Sequence, residues 1–419
     1  MLCPYWPPMG GPGVQRAVKF AKYLPAFEVA PFVVTRTLDG AEDESLVRDV
    51  AAVPVRAARH IPFQRLGRGA PGAEPGAAAG RVGVLKRVRD WMQLPDHVVS
   101  WVPFAVACGA EWAREIEPAC LYSTSPYHST HLAALRLKQR LSLPWICDFR
   151  DPWATDRFTT YPTGLHRRAN AWLERKVVTG ADAVTVISKG MHDDFAARYP
   201  EHAHKFTVIY NGFDDDDFLG QPAPPPGPPW VLRHLGTFYP DRRPDAFLRG
   251  LAAWRTSRPD TAGDFRVEFC GRHHADVEAR LIALSAELGL GEVVRFAPYV
   301  PHSEALALLG SSHALVLVPG PGATTVTGKL FEYLAAQRPV LAVAPFPSGI
   351  DEIVANPLRV DDTAEGVAEG LARLHAALKA GRPGDLLPPE QEVARFSRRS
   401  AAGQLADLVK KLHAAAQTR

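Results

Sequence analysis

A proline-rich segment in the middle of the chain sets the strongest limit on how the chain can fold. Residues 219–230 read Leu-Gly-Gln-Pro-Ala-Pro-Pro-Pro-Gly-Pro-Pro-Trp. Proline has no N–H to donate, so the segment can be neither a helix nor a central strand. We interpret residues 219–229 as a semi-rigid linker. The chain has 419 residues, enough for two or three domains, so we expect one folded unit before the linker and another after it.

Apolar, strand-like runs alternate with helical patterns on both sides of the linker. The runs are 30–35, 120–123, 144–149, 183–187 and 206–210 before it, and 230–235, 265–270, 293–298, 314–318 and 340–344 after it. Such alternation indicates parallel sheets covered by helices. The predicted fold class is α/β, with two Rossmann-like doubly wound domains facing a central cleft. We assign residues 1–218 to the first domain, 230–385 to the second, and 386–419 to a helical segment that packs back toward the first.

Composition excludes several classes of protein. The formal net charge of +3 is too small to indicate nucleic-acid binding. The five cysteines are scattered without a Cys-x-x-Cys pair, which predicts a reducing compartment and no structural zinc. No signal peptide and no apolar run near the roughly 20 residues of a membrane span are present. We therefore expect a cytoplasmic location.

The segment 314–344 predicts a strand, a loop with two glycines, a short helix from about residue 328 to 336, and a second strand. In open α/β sheets, ligands bind at loops of this kind. The helix N-terminus suits an anion, Lys329 adds a charge in the first turn, and Glu332 lies on the same face. A phosphate and a sugar hydroxyl could be held together there. A surface ion pair between Lys329 and Glu332 explains the pattern equally well.

A glycine-rich turn precedes the first predicted helix, residues 14–24. Gly10, Gly11 and Gly13 would let the backbone approach a ligand closely, although an ordinary strand-to-helix turn fits as well. The residues before this turn are too few for a full first strand.

Three further segments carry weaker signals. Residues 55–82 lack periodicity, and we interpret them as a mobile excursion. The basic stretch 82–91 could contact an anionic membrane, but a solvated helix face is favoured. The acidic run 214–217 fits the N-terminal turn of a helix better than a metal site.

Several motifs together resemble the family 4-type glycosyltransferases of the GT-B fold. They occur in the order of that family over nearly the whole chain. The motifs are Tyr5-Trp-Pro-Pro with Gly10-Gly-Pro-Gly-Val-Gln-Arg16, Asp148-Phe-Arg-Asp-Pro-Trp153, Val208-Ile-Tyr-Asn-Gly-Phe-Asp214, Gly236-Thr-Phe-Tyr239 and Thr327-Gly-Lys-Leu-Phe-Glu-Tyr-Leu334.

The resemblance implies a role for each matching residue. Glu332 takes the place of the glutamate that binds the ribose of a nucleotide sugar. A group of residues would bind the rest of the donor: Gly11, Gly13, Gly236, Thr237, Arg242 or Arg243, Thr324, Thr325 and Lys329. Arg150 and Asp151 lie where the family has a His-Asp pair beside the reacting sugar.

Two positions depart from the family pattern. Thr324 stands eight residues before Glu332, where the family has the glutamate that contacts the donor sugar. The histidine of the family corresponds to Arg150, or its role falls to His128 or His131. The identity of the sugar and the catalytic group therefore stay open.

The resemblance implies an enzyme that transfers a sugar from a nucleotide-sugar co-substrate with retention of configuration. We expect neither a cofactor nor a metal, because we find no Asp-x-Asp set in a loop. The acceptor would be a sugar, a lipid-linked molecule or a small molecule, with possible contact to the inner membrane face. A nucleotide-sugar 2-epimerase and a non-catalytic nucleotide-binding homologue remain as alternatives. A dinucleotide-dependent oxidoreductase ranks low, since the glycine turn lacks the third glycine of Gly-x-Gly-x-x-Gly.

Overall fold

The computed structural model divides the chain into two compact units. One unit contains Met1–Tyr210 and Ala401–Arg419, and the other contains Asn211–Ser400. The proline-rich residues 219–229 belong to the second unit by their contacts. The residues that the structure describes are 1–37, 44–61, 94–156, 161–240, 242–319 and 326–418. The basic stretch 82–91 and most of 55–82 lie outside them.

The first unit is built on parallel strands. Four strands pair in the order β3-β4-β5-β6, and β1 pairs with β2. Leu2 forms bridges to both Val34 and Ser123, so the short N-terminal segment lies between β1 and β3. The strands are β1 (Val33–Arg36), β2 (Val55–Ala58), β3 (Leu121–Thr124), β4 (Trp145–Phe149), β5 (Ala183–Val186) and β6 (Phe206–Val208).

Helices connect these strands. Trp101, Ala105 and Trp112, which follow helical spacing, are buried, whereas Cys108 and Ile116 of the same spacing are partly buried. Ser188 caps the helix that follows it by accepting a hydrogen bond from the Met191 N–H. The helices are α1 (Pro12–Tyr23), α2 (Glu44–Asp49), α3 (Val102–Ile116), α4 (Ser129–Leu141), α5 (Gly164–Gly180) and α6 (Lys189–Arg198).

A buried ion pair fastens α1 to this sheet. Arg16 donates from Nε and Nη2 to the two carboxylate oxygens of Asp148 at 3.0 and 2.9 Å, and both side chains are excluded from solvent. Tyr122, Thr124 and Thr185 also donate to Asp148, at 2.9, 2.7 and 2.6 Å. These contacts, led by the charge of Arg16, outweigh burial and lower the pKa of Asp148 to about 2.

The second unit contains one parallel sheet with the strand order β12-β11-β10-β7-β8-β9. Its strands are β7 (Trp230–Leu235), β8 (Phe265–Cys270), β9 (Val294–Ala297), β10 (Ala314–Leu317), β11 (Val340–Val343) and β12 (Arg359–Val360). Its helices are α7 (Asp245–Ser257), α8 (Ala275–Glu287), α9 (His302–Gly310), α10 (Gly328–Ala335), α11 (Ala364–Lys379) and α12 (Glu390–Ala394). Strands β8 and β9 lie on one side of β7, and strands β10, β11 and β12 lie on the other. The direction in which successive strands join the sheet therefore reverses after β9.

The last helix, α13, covers Arg398–Gln417. Its residues from 401 onward belong to the first unit, where Ala402 and Leu405 are buried against Phe20, Tyr122 and Ile146. Small side chains on this face let the helix lie close to the sheet.

Most predicted elements are present at the expected positions, but the interpretation of residues 55–82 was wrong at its start. Val55–Ala58 form a parallel strand with Val33–Arg36, and Ala58 is buried. Pairing between distant segments, which local periodicity does not report, makes this strand. The acidic run is the predicted turn, because Asp214 caps a short 3₁₀-helix, Asp215–Phe218, by accepting from the Asp216 N–H.

All five cysteines are free thiols. Within the described ranges, no group of three or more His, Cys, Asp or Glu side chains is arranged to hold a metal ion. No helix in the described part of the chain has both the length and the apolar character needed to cross a bilayer.

We expect Arg16→Ala to lower the free energy of unfolding by about 3–5 kcal/mol, because Asp148 would stay buried without its charge partner. Denaturant unfolding near neutral pH measures the change. Glu115→Gln is the matched control, since it breaks an exposed pair with Arg56 and should leave the unfolding midpoint unchanged.

The pH dependence gives a second readout of the same variant. The pKa of Asp148 is lower in the folded state than in the unfolded state. The stability that its charge contributes is therefore fully present above the unfolded pKa of about 3.9 and is lost as pH falls through about 2. The stability difference between wild type and Arg16→Ala should therefore narrow across that window. A difference that stays constant would contradict the role of the Asp148 charge.

Candidate functional site

The second sheet has a topological switch point where β7 lies between β8 and β10. Gly236 directly follows β7, and α10 begins after the loop that follows β10. Because all strands are parallel, both segments lie at the carboxyl edge of the sheet. Ligands of open α/β sheets bind at such a crevice, so this edge is the first candidate site.

Three contacts fix the beginning of α10 at this edge. The Thr327 side chain caps the helix by accepting from the Lys329 N–H at 3.3 Å. The Tyr333 hydroxyl accepts from the Leu235 N–H at 2.8 Å and joins the helix to the end of β7. Leu330 is fully buried beneath the helix. The first N–H groups of α10 are thereby held at the sheet edge with their partial positive charge.

Gly236 leaves room for Lys329. The backbone of Gly236 has φ 148°, a conformation that favours glycine, and a Cβ built on it would lie 1.6 Å from Nζ of Lys329. A Cβ on Gly271, after the neighbouring strand, would lie 2.3 Å from the Gly236 carbonyl oxygen. Two glycines at adjacent strand ends therefore let the lysine ammonium reach the backbone at the switch point.

The charge of Lys329 is poorly solvated. Burial, and then the nearby charge of Arg242, lower the pKa of Lys329 to about 8, while Glu332 acts in the opposite direction. Lys329 and Glu332 form no ion pair within 4 Å, so the surface pair that the sequence allowed is not present. A desolvated cation without that partner interacts strongly with an anion.

Glu332 lies one turn further along α10. Burial raises the pKa of its carboxyl group, and the charges of His302, Arg398 and Lys329 oppose the rise. The carboxylate is therefore held among cationic groups of its own unit. Such a group can accept hydrogen bonds from two neighbouring hydroxyls.

The two arginines that the sequence left open have different surroundings. Arg243 donates to Asp245 at 3.1 Å and to the Pro240 carbonyl at 2.9 Å. Arg242 pairs through its backbone with Tyr239, and its charge contributes to the lowered pKa of Lys329. The structure thus places Arg242 near the lysine. Thr237 follows Gly236 and is half-buried, whereas the predicted donor residues Thr324 and Thr325 lie outside the described residues.

A stack of rings below this site was not predicted from the sequence. His234 stacks on Phe238 at 4.4 Å, and Phe238 stacks on His273 at 5.1 Å. Burial and the charge of Lys329 both lower the pKa of the two histidines, so they stay neutral beside the lysine. The sequence feature that could have indicated this stack is His234, a histidine inside the strand-like run 230–235.

The candidate residues of the first unit gather at the carboxyl edge of its own sheet. Gly11 has φ 101°, and the Gly13 carbonyl accepts from Nη1 of Arg150 at 2.8 Å. Arg150 also donates to the Ser125 carbonyl, just after β3. Its guanidinium is buried and ties the glycine turn to the ends of β3 and β4.

The other two predicted catalytic residues differ in accessibility. Asp151 is exposed after β4. His131 is fully buried, lies 2.9 Å from the Ser123 hydroxyl through Nδ1, and packs on Phe149. Burial lowers its pKa well below the usual range. The catalytic assignments stay predictions, and the geometry of His131 is that of a core histidine without access to a substrate.

Comparison with known proteins identifies the fold. The chain is similar to a glycosyltransferase from Rickettsia africae, with 14% identity, a TM-score of 0.62 and coverage of 98% of this chain and 97% of that one. It is also similar to HepE of Anabaena, solved with UDP and glucose, with 15% identity, a TM-score of 0.55 and coverage of 99% and 97%.

A third similar structure is the sucrose-phosphate synthase of Thermosynechococcus elongatus, with 16% identity, a TM-score of 0.59 and coverage of 97% and 94%. Residues 66–217 match the model of Glycosyltransferase Family 4. Comparison with curated protein sequences gave no match.

The fold is therefore the GT-B fold of glycosyltransferases. The match of residues 66–217 to the model of Glycosyltransferase Family 4 confirms the resemblance seen in the sequence motifs.

We expect Gly236→Ala to lower the free energy of unfolding by about 1–3 kcal/mol, because φ 148° is strained for any residue with a Cβ. The end of Lys329 can swing away, so the clash itself adds less. Denaturant unfolding measures the cost.

Gly263→Ala is the matched control for this variant. Gly263 lies in the same unit, and a Cβ there meets no atom within 4 Å. Its unfolding midpoint should stay unchanged or rise slightly. Equal losses in the two variants would contradict a special requirement for glycine at position 236.

Proposed function

We propose that the protein transfers a sugar from a nucleotide-sugar donor to an acceptor hydroxyl. The observation that carries the proposal is the desolvated ammonium of Lys329 against Gly236, at the start of α10 and near Arg242. The HepE structure, which shares the fold, was determined with UDP and glucose. A diphosphate is the part of such a donor that this set of positive groups would hold.

The chemistry explains why these groups would be needed. The bond between the anomeric carbon and a diphosphate oxygen breaks, and the leaving diphosphate gains negative charge. Lys329, Arg242 and the first N–H groups of α10 would stabilise that charge as it develops. We propose that the reaction retains configuration: the acceptor oxygen attacks the same face, and its proton passes to the departing diphosphate oxygen.

Glu332 would bind the ribose of the donor. Its carboxylate lies one turn beyond Lys329 on α10, so a ligand that contacts the start of the helix by its phosphates can extend toward it. One carboxylate can accept hydrogen bonds from both hydroxyls of a ribose, so Glu332 would favour a ribonucleotide.

We propose that no metal ion takes part, since the cationic groups would neutralise the diphosphate. The five free thiols suit a reducing compartment, so we propose a cytoplasmic enzyme of polysaccharide or glycolipid synthesis.

A donor screen tests the proposal directly. Thermal shifts would be measured with UDP-, GDP- and ADP-sugars, in the presence of a chelator and again with added magnesium. Products would then be analysed with and without candidate acceptors. A transferase releases nucleoside diphosphate, an epimerase changes the sugar of the intact donor, and a binding protein does neither.

We expect Glu332→Ala to abolish the thermal shift given by the selected nucleotide sugar, because the ribose loses its acceptor. Glu365→Ala is the control, since Glu365 is an exposed glutamate in the first turn of another helix of the same unit. Both variants should keep the far-ultraviolet spectrum of the wild type. An unchanged shift in Glu332→Ala would contradict the ribose assignment.

The affinity for the selected nucleoside diphosphate should fall as pH rises through about 8, where free Lys329 loses its charge. A phosphate has its second pKa near about 6, so the charge of the phosphate groups stays constant over this window. Calorimetric titration between about pH 7 and about pH 9.5 should show several-fold weaker binding at the upper end.

Lys329→Arg isolates the source of that pH dependence. Arginine stays charged throughout the window, so the variant should bind with little change in affinity across it. An equally steep decrease in the variant would assign the titration to another group.

A further inference from the structure

The outward side of α5 combines basic and large apolar residues in one line. Leu165, Arg168, Trp172, Arg175 and Lys176 are spaced by three, four, three and one positions, which places them on one face of the helix. All five are exposed. We call these residues the α5 outer face.

The two apolar side chains of this face are unusually accessible. Leu165 is 60% exposed and Trp172 is 57% exposed, two turns apart on the same helix. Tryptophan is highly buried on average, so a tryptophan this exposed on the outer side of a helix is uncommon. The ammonium of Lys176 lies 5.6 Å from the ring of Trp172, so charge and ring are presented together.

The acidic residue of α5 does not reduce the charge of this face. Glu174 is fully buried, accepts from the Tyr199 hydroxyl at 2.6 Å and from the Ala154 N–H at 2.8 Å, and pairs with Arg198. Its negative charge is therefore neutralised in the interior. The described residues of α5 expose only positive charges.

The neighbouring helix, α6, carries two acidic side chains that pair with basic ones, although Arg198 is shared with Glu174. Asp194 pairs with Arg198 at 2.8 Å, and Asp193 pairs with Lys189 at 2.5 Å. Arg175 lies over the ring of Tyr199, which directly follows this helix. Together α5 and α6 carry six Lys or Arg and three Asp or Glu side chains, so a net charge of +3 remains on the two helices.

We propose that the α5 outer face docks on the surface of an anionic lipid bilayer. Tryptophan favours the interfacial region, and a leucine two turns away can enter the acyl boundary beside it. The basic residues then meet the lipid phosphates, each adding attraction near the surface. A bilayer accepts both apolar side chains without a matching pocket, which an acidic protein partner would have to provide. The proposal does not depend on the donor site.

Vesicle sedimentation with the full chain tests the proposal. We expect binding to phosphatidylcholine vesicles that contain about 30% phosphatidylglycerol, weaker binding at high salt, and little binding to pure phosphatidylcholine. The assay contains no nucleotide, so it is independent of catalysis. Equal binding to both vesicle types, or none to either, would overturn the proposal.

Two double variants assign the binding to this face. Leu165→Ala with Trp172→Ala, and Arg168→Gln with Lys176→Gln, should each lower the partition coefficient by about tenfold or more. Ile282→Ala and Arg249→Gln are the controls, because they remove an exposed aliphatic and an exposed basic side chain from other helices. Controls should bind like wild type. Wild-type binding by both double variants, with unchanged thermal midpoints, would refute the assignment.

Discussion

The buried pair of Arg16 and Asp148 organises the first unit. Arg16 also donates to the carbonyls of Ile209 and Tyr210, and Asp148 accepts from hydroxyls on β3 and β5. One carboxylate therefore fixes α1 across several parallel strands at the edge where they end. Two charges removed from water require this complete set of partners, since an unsatisfied buried charge would cost several kcal/mol. The glycine turn at the start of α1 is held by a separate contact, from Arg150 to the Gly13 carbonyl.

The sequence predicted the buried strands well because their signal is local. Residues 230–235 and 265–270 are strands with the predicted limits, since buried and partly exposed positions alternate along most of both segments, as the period of a strand requires. The strand at 55–58 escaped prediction because its pairing partner is distant in the chain. The aspartate within the apolar run 144–149 was visible, whereas its partner, 132 residues away, was not.

The candidate site also combines features that are local in the sequence with features that only the fold brings together. The motifs singled out Gly236, Lys329 and Glu332, and the structure shows how the first two meet at the switch point. The depressed pKa of Lys329 could not be predicted, because it arises from burial and from Arg242, which only the fold brings near. In the first unit, the buried charge of Arg16 is paired with Asp148. In the second unit, the described structure holds a lysine that has no acidic partner within 4 Å, which is the arrangement that an anionic ligand requires.

The cysteines carry a practical consequence. Burial raises the pKa of all five thiols, to about 12 for Cys3 and Cys120. Since the thiolate is the reactive form, the natural cysteines should react slowly with alkylating reagents near neutral pH. A cysteine engineered at an exposed position would then be the fastest thiol in the molecule. Fluorescent or spin labels could thus be attached selectively to the native background, and distance changes between labelled positions could be followed during turnover.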